Sequence, residues 1–458
     1  MNLPSGFRPS KQQKEAFDKI EGSSESYFIY GKAGSGKSSF IQYFRNISKK
    51  NHITLTFTGL AAVLIKGQTI HSFFQLPPRL ILKNDPDVKT LNKRQKQIEK
   101  LDVLIIDEIS TVSCDLLHAI DSLLQEYRNN NKPFGGIQMV FVGDFFQIAP
   151  IEPKEKNEWN AFINDYKSIW FFDSEGYEKL KPQLLEFEFI HRHKDTLLKN
   201  NLETIRRNQF DDNTLKYFNK RIGLQIPSSA IALCTTNKKV DQYNNDYLNK
   251  LEGRSFTYIG KSNNFKESEL PTDMKLTLKI KARVMMISND PSRRWVNGTF
   301  AFITNLSEEK IKIRIPLGKD KYSKEYEVDK ETWNKYDYRL KTNASDINDK
   351  KESYEAFVVG SFEQYPIRIA RATTIHKSQG QTFDNVLVDF DTGAFTHGQA
   401  YVALSRTRTY EGLFLKHPLK SSDIRFDEKV INYYNKNFQS SLFDHMPSSE
   451  IEDNIPFN

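Results

Sequence analysis

Gly31-Lys32-Ala33-Gly34-Ser35-Gly36-Lys37-Ser38 is the stretch that decides the fold. It fits the phosphate-binding pattern G-x-x-x-x-G-K-[ST]. Residues 27–30, Tyr-Phe-Ile-Tyr, read as a strand in front of it, and residues 38–49 read as a helix behind it. Strand, glycine loop and helix in that order place backbone N–H groups and a helix N-terminus around a phosphate. Lys37 is placed to reach the β- and γ-phosphates, and the Ser38 hydroxyl to bind Mg²⁺. Gly31, Ala33, Gly34, Ser35, Gly36 and Ser39 complete the expected nucleotide cradle.

Working outward, residues 53–57, 103–106 and 138–142 are short apolar runs, and residues 115–128 have helical spacing. Buried strands alternating with helices imply a parallel α/β sheet. The run Leu104-Ile105-Ile106 delivers Asp107 and Glu108 at its C-terminal end. Asp107 suits the Mg²⁺ shell and Glu108 a general base that polarises the attacking water. Together the two sites make a nucleoside triphosphatase. Alternation resumes at 230–234, 238–251, 367–370, 386–390, 399–406 and 413–415, which makes a second α/β unit. Period-two patterning over 276–328 marks a small β-rich insert in that unit, and 334–353 reads as a polar loop.

The 458 residues allow two or three domains. Lys and Arg total 66 against 58 Asp and Glu, a balance of +8 that suits a polyanion held along one groove. Thirty-three Phe and 20 Tyr exclude disorder throughout. With only Cys114 and Cys234, a disulfide scaffold and a cysteine-based zinc or iron–sulfur site are excluded. No apolar run reaches ~18 residues, and the N-terminus lacks a signal-peptide stretch, so a cytoplasmic chain is expected, nucleoid-associated if bacterial.

Further segments follow in order: Thr58-Gly59-Leu60-Ala61-Ala62-Val63, Gly67-Gln68-Thr69-Ile70-His71-Ser72-Phe73, Gly143-Asp144-Phe145-Phe146-Gln147, Thr374-Ile375-His376-Lys377-Ser378-Gln379-Gly380, and Gln399 to Arg406. This ordered set resembles the B branch, RecD-like group, of superfamily-1 helicases. Lys132-Pro133-Phe134-Gly135-Gly136-Ile137-Gln138 brings the resemblance to the Pif (petite integration frequency) family of DNA helicases, over residues 7–418 or so. The resemblance implies an α/β fold of two RecA-like P-loop domains with a small β-rich insert in the second, ATP and Mg²⁺ between them, and 5′→3′ movement on single-stranded DNA with duplex unwinding. Telomeric and G-quadruplex roles are known in that family, and roles in DNA repair, recombination or telomere maintenance are expected with the resemblance.

Carried over position by position, Gln13 looks like the adenine reader, with Gln12 its rival in register. Gln147 looks like the γ-phosphate sensor, Arg192 and Arg406 like arginine fingers, and Gly380 like a nucleotide contact. Arg192 lies in Ile190-His191-Arg192-His193, where the family more often has an aromatic before the arginine and Gln after it. Single-stranded DNA is expected on Thr58, Gly59, His71, Ser72, Phe73, Thr235, Asn237, His376, Lys377 and Ser378, with Phe74 as an alternative to Phe73 for base stacking. Donors of this kind suit phosphate oxygens and carry no base identity. The expected organisation is a first domain over 1–180 with a wedge near 64–90 that includes Gln75-Leu76-Pro77-Pro78-Arg79. A second domain follows over 181–300 and 365–438, with the insert over 301–364 and an acidic tail over 439–458. The turn at 293–298 has a DNA contact and a solvated role as equal alternatives. In the tail, 439–443 resembles a clamp-binding motif and 452–458 the tip of single-strand-binding proteins, which makes a weak docking segment for a replication protein one reading and a solvated tail the other. An RNA helicase and a regulatory P-loop switch acting on a protein partner are the rival functions.

Overall fold

The computed structural model describes residues 7–57, 62, 67–77, 79–153, 156–188, 195–295, 299–318, 321–341 and 353–438. Its first unit is built on six parallel strands: β1 (Tyr27–Gly31), β2 (His52–Thr56), β3 (Gln68–Thr69), β4 (Val103–Asp107), β5 (Gln138–Gly143) and β6 (Gln183–Phe187). They lie in the order β3-β2-β4-β5-β1-β6. Strands β1, β4 and β5 are buried along their whole length, as a parallel sheet covered on both faces requires. Alternation then divides each strand between two layers. Tyr27, Ile29, Val103 and Ile105 pack on Phe40, Ile41 and Phe44 of one layer. Phe28, Tyr30, Leu104 and Ile106 pack on Leu117, Ile120 and Leu124 of the helix Cys114–Arg128.

The second unit has four parallel strands in the order Ala372–Thr374, Ile231–Cys234, Val386–Asp389, Leu413–Leu415. These are the two RecA-like units that the resemblance implied. Between its halves lies an antiparallel five-stranded sheet in the order Tyr326–Val328, Ile311–Arg314, Phe300–Leu306, Arg283–Met286, Ile367–Ile369. A long hairpin, Glu331–Lys341 with Ser353–Gln364, pairs its second strand with Lys261–Asn263.

Five expectations about organisation are corrected. The boundary after residue 180 cuts off β6, which pairs in register with β1 from Tyr27↔Gln183 to Gly31↔Phe187. The insert begins well before 301, because Arg283–Met286 is paired within its sheet. The run at 367–370 joins that antiparallel sheet, and Ala372–Thr374 takes the place expected for it in the parallel one. The polar stretch from 334 is strand up to Lys341. The helix Glu428–Phe438 also departs from the expected boundary. Val430 and Tyr434 are buried in the first unit's core, and the Tyr433 ring stacks on Phe172 with centroids 4.2 Å apart. Trp170 Nε1 donates to Asp427 (2.6 Å) at the start of this return.

Cys114 and Cys234 are buried thiols in different units. Among the described residues no helix is long and apolar enough to cross a membrane. The tail at 439–458 lies outside the described residues.

Candidate functional site

The glycine loop starts where β1 ends. A side chain at Gly31 would place its Cβ 2.5 Å from the Phe187 carbonyl oxygen and 2.7 Å from Ser35 Oγ, so only glycine fits between β6 and the loop. Gly36, at φ 88°, forms the N-cap of the helix Lys37–Ile47 in a backbone conformation that glycine adopts without penalty. The preceding helix, Lys11–Gly22, is fixed by a capping box: Ser10 Oγ accepts from the Gln13 amide and Gln13 Oε1 accepts from the Ser10 amide (2.9 Å). Gln13 Nε2 then donates to the Gly36 carbonyl (3.0 Å). Of the two glutamines in register, Gln13 lines the cavity beside the loop, whereas Gln12 Oε1 accepts from the Glu188 amide.

That cavity is about 540 Å³ and opens between the two units. Ala33, Gly34, Ser35, Gly36, Lys37, Ser38, Ser39, Glu108 and Gln147 form one wall, and Gly380, Thr382, Arg406 and Arg408 the other. Gly31 stands behind it, accepting the Lys37 ammonium at its carbonyl (2.7 Å) while Lys32 accepts at 3.1 Å. Burial lowers the Lys37 pKa, and the carboxylates of Asp144, Glu108 and Asp107 oppose that shift. The Asp107 carboxyl is pushed up to about 7, first by burial and then by the charge of Glu108.

These residues fit a hard divalent cation bound with a triphosphate. A buried Asp107 gains from a cation that neutralises it, and Ser35 Oγ is a buried hydroxyl on the cavity wall without a hydrogen-bond partner among the described residues. Among the described residues no group of three His, Cys, Asp or Glu forms a metal cage. Mg²⁺ needs none, since it takes one or two protein ligands and completes its shell with water and phosphate oxygens.

Glu108 sits at φ 52°, ψ 44°, a left-handed conformation uncommon for a residue with a Cβ and concentrated at functional sites. Gln147 Nε2 faces Asp144 Oδ2 at 3.4 Å. Arg406 is buried, and its guanidinium donates to the carbonyls of Val402 (2.7 Å) and Gln381 (3.2 Å) and to Ser405 Oγ (2.7 Å). The expected finger is therefore at the cavity wall but held within its own unit. Arg192 lies outside the described residues.

The expected DNA residues divide. His376, Lys377 and Asn237 are exposed on the second unit, and His71 and Ser72 are half-buried on the first. Phe73 is a correction: it is wholly buried, its ring edge-on to Phe74 at 4.8 Å and covered by the Arg94 guanidinium at 4.5 Å. Phe74 is buried too, so neither ring is open to a base. The Ser378 hydroxyl is buried and donates to the Ile375 carbonyl (2.7 Å), and buried Thr235 Oγ1 donates to the Phe390 carbonyl (3.4 Å). Each hydroxyl is bonded to a main-chain carbonyl of its own unit, the first within its turn and the second across to the neighbouring strand end. Thr58 and Gly59 lie outside the described residues.

The region expected as a wedge is anchored after its prolines. Arg79 is paired with Asp85 and Asp87 (2.5 Å each), and Ile81 is held through its carbonyl by Tyr166 Oη (2.9 Å). In the turn at 293–295, Arg294 is spent on Asp290 (2.6 Å) and on the Trp295 ring.

Three features escaped the sequence. Phe395 is 57% exposed and stacks on His376, with centroids 6.1 Å apart and planes at 22°. Arg206 reaches from the second unit to Asp144 (3.0 Å) and over the Phe146 ring (4.4 Å to its centroid). Gln379 Nε2 donates to Glu108 Oε2 (2.8 Å) across the cleft. Each is a pairing over a long sequence interval, and the only local signal was the Glu203/Arg206 spacing, common on any helix.

Comparison with known proteins agrees with this geometry. The PIF1-like helicase family model matches residues 9–172. The ATP-dependent DNA helicase Pif1 of Bdellovibrio bacteriovorus is 30% identical over 438 residues, 93% of this chain and 91% of that one. The structure of Bacteroides sp Pif1 in complex with ADP-AlF4 has a TM-score of 0.84 at 30% identity, covering 95% of this chain and 98% of that one. The Bacteroides protein in complex with ADP-AlF3 and ssDNA has a TM-score of 0.67 at 31% identity, covering 94% and 98%. The arrangement described above is therefore nearer the first form than the second. Glycine loop, paired carboxylates, inter-unit cleft and whole-chain similarity lead to one assignment: this chain belongs to the PIF1-like helicase family.

Proposed function

We propose that the protein is an ATP-dependent DNA helicase that moves 5′→3′ on single-stranded DNA and opens the duplex at single-strand/double-strand junctions. The observation that carries the reading is the cleft itself, with the glycine loop on one unit and Gly380, Thr382 and Arg406 on the other. A bound triphosphate bridges two bodies that also carry exposed DNA-type donors, so nucleotide state changes their separation. Relatives and solved neighbours described as DNA helicases, one of them in complex with ssDNA, support it.

In this reading the Lys37 ammonium exchanges its backbone carbonyls for phosphate oxygens, and Gln13 meets the adenine edge. Ser38 and Asp107 hold Mg²⁺, which supplies charge neutralisation at the phosphates. Glu108 accepts the proton of the water that attacks the γ-phosphorus. Gln147 orients the γ-phosphate, and Arg406 leaves its carbonyls to neutralise charge developing on the transferred group. Side-chain donors of His376, Lys377 and Asn237 hold the strand's phosphates without reading sequence, which suits a motor on any DNA. Phe395, on His376, offers a face for one base.

Roles in repair, recombination, telomere maintenance and G-quadruplex unwinding, in the cytoplasm at the nucleoid if the source is bacterial, belong to the same proposal. So does a weak docking role for the tail over 439–458, which should be dispensable for unwinding naked DNA. The test is ATP hydrolysis with and without single-stranded DNA or RNA. Stimulation by DNA above RNA, abolished in Lys37→Ala, supports the reading. DNA-independent hydrolysis, or hydrolysis preserved in Lys37→Ala, refutes it.

A further inference from the structure

Gln379 stands two residues beyond Lys377 in a short, tightly bonded turn. The Lys377 amide donates to Thr374 Oγ1 (3.2 Å), the Ser378 hydroxyl to the Ile375 carbonyl (2.7 Å), and the Gln379 amide to the His376 carbonyl (3.2 Å). Ile375 is itself tied by its amide to the Cys234 carbonyl at the end of the central strand (2.9 Å). Such a turn moves as one piece. Its outer side presents His376 and Lys377, and its inner side sends the Gln379 amide across the cleft to Glu108 Oε2 (2.8 Å).

The other end of that bond is equally constrained. The Glu108 amide donates to Asp107 Oδ1 (2.9 Å), and its carbonyl accepts from both the amide (3.0 Å) and the hydroxyl (2.8 Å) of Thr111. Its main chain is fixed, so the side chain is the part able to move. The Arg406 guanidinium is bonded to the same turn, at the carbonyls of Ser378 (3.5 Å) and Gln381 (3.2 Å). One element of the second unit thus holds both the general base and the arginine finger.

We infer that Gln379 is a positioning residue that draws the Glu108 carboxylate toward the second unit and releases it when DNA engages the turn at His376 and Lys377. The inference rests on the proposed roles of Glu108 and of the 376–378 turn. The bond occupies only one of the carboxylate's acceptor sites, but it holds the side chain pointing at the second unit, which limits how it can turn toward a water in line with the γ-phosphorus. A hydrogen bond to a charged group shifts a population by a factor of about ten or more, which sets the size of the effect.

The experiment uses the full chain and three variants: Gln379→Ala, Gln379→Glu and Glu108→Gln. Steady-state ATP hydrolysis is measured with and without oligo(dT), and oligo(dT) affinity by fluorescence anisotropy. Without DNA, kcat of Gln379→Ala is expected to rise about tenfold with KM for ATP within about twofold, while kcat at saturating oligo(dT) stays within about twofold. Gln379→Glu, which cannot donate when ionised, should show the same compressed stimulation, so the result does not hang on one substitution. An unchanged or lowered DNA-free kcat in the variant that still binds oligo(dT) overturns the inference. Hydrolysis retained in Glu108→Gln would instead remove the general-base reading on which it rests.

Discussion

Arg206 and Asp144 form a charge pair between the two units with almost no contact with water, their side chains 1% and 0% exposed. Arg206 Nη2 approaches Asp144 Oδ1 at 3.0 Å, and Nε lies 3.3 and 3.4 Å from its two oxygens. The guanidinium also sits on the Phe146 ring and bonds Glu203 Oε1 (3.3 Å), while Glu203 in turn meets Lys32 of the glycine loop (3.3 Å). Substituting Arg206→Met keeps much of the volume but leaves the Asp144 carboxylate buried with, among the described residues, the hydrogen bonds of the Phe146 amide (3.2 Å) and Gln147 Nε2 (3.4 Å). Removing one partner of a buried pair costs roughly 3–5 kcal/mol, and a desolvated cation–π contact adds up to about 2 kcal/mol. Asp144→Asn in the same background removes the stranded charge and should recover a large part of the loss. The expected coupling in a double-mutant cycle is therefore at least about 2 kcal/mol, read from urea unfolding followed by tryptophan fluorescence. The same variant should slow hydrolysis, because Gln147 loses the ordered carboxylate that aligns its amide. Coupling below about 0.5 kcal/mol would mean that the pair is solvated or absent in solution, and the inter-unit network would have to be abandoned.

Phe395→Ala should weaken oligo(dT) binding by about 1–3 kcal/mol, the scale of one base–aromatic stack, with little effect on folding because the ring is exposed. Unchanged affinity would return Phe395 to an ordinary surface role. His397 gives a pH prediction. Burial lowers its pKa to about 4, against the opposing effects of the Phe145 carbonyl and of Asp427 and Asp144. Its Nδ1 accepts from the Asp427 amide (3.0 Å), so Nε2 carries the proton donated to the Phe145 carbonyl (3.0 Å). The folded state binds fewer protons than the unfolded state between about 4 and 6.5, so stability falls as pH falls through that window, by about 2 kcal/mol between pH 7 and pH 5. His397→Gln should flatten that dependence in urea titrations at the two pH values. An equal slope in the variant would show that His397 is not the group responsible.

What the sequence disclosed follows from the range of the interactions. The glycine loop, Asp107 and Glu108 are local patterns, and their chemistry is written in consecutive residues at strand ends. Strands buried on both faces are apolar throughout and could be read directly. Strand β6 was missed because it is an edge strand of mixed polarity, Gln183 to Phe187, whose pairing with β1 spans more than a hundred residues. The helix Glu428–Phe438 was assigned to the nearer unit in sequence, whereas Tyr433 bonds Tyr177 (2.8 Å) and stacks on Phe172 in the farther one. Phe73 shows the reverse limit. An aromatic beside His71 and Ser72 reads as well for base stacking as for core, and only the position of Arg94 over its ring decides for core.

The most direct test of the central claim is strand displacement at a fluorescently labelled fork. Duplexes with a 5′ single-stranded tail, with a 3′ tail and with blunt ends are incubated with the full chain, ATP and Mg²⁺, with Lys37→Ala in parallel. The account predicts ATP-dependent displacement from the 5′-tailed duplex only, and none by Lys37→Ala. Efficient displacement from 3′ tails alone would contradict the polarity, and displacement by Lys37→Ala would contradict the placement of the motor's fuel in the cleft between the two units.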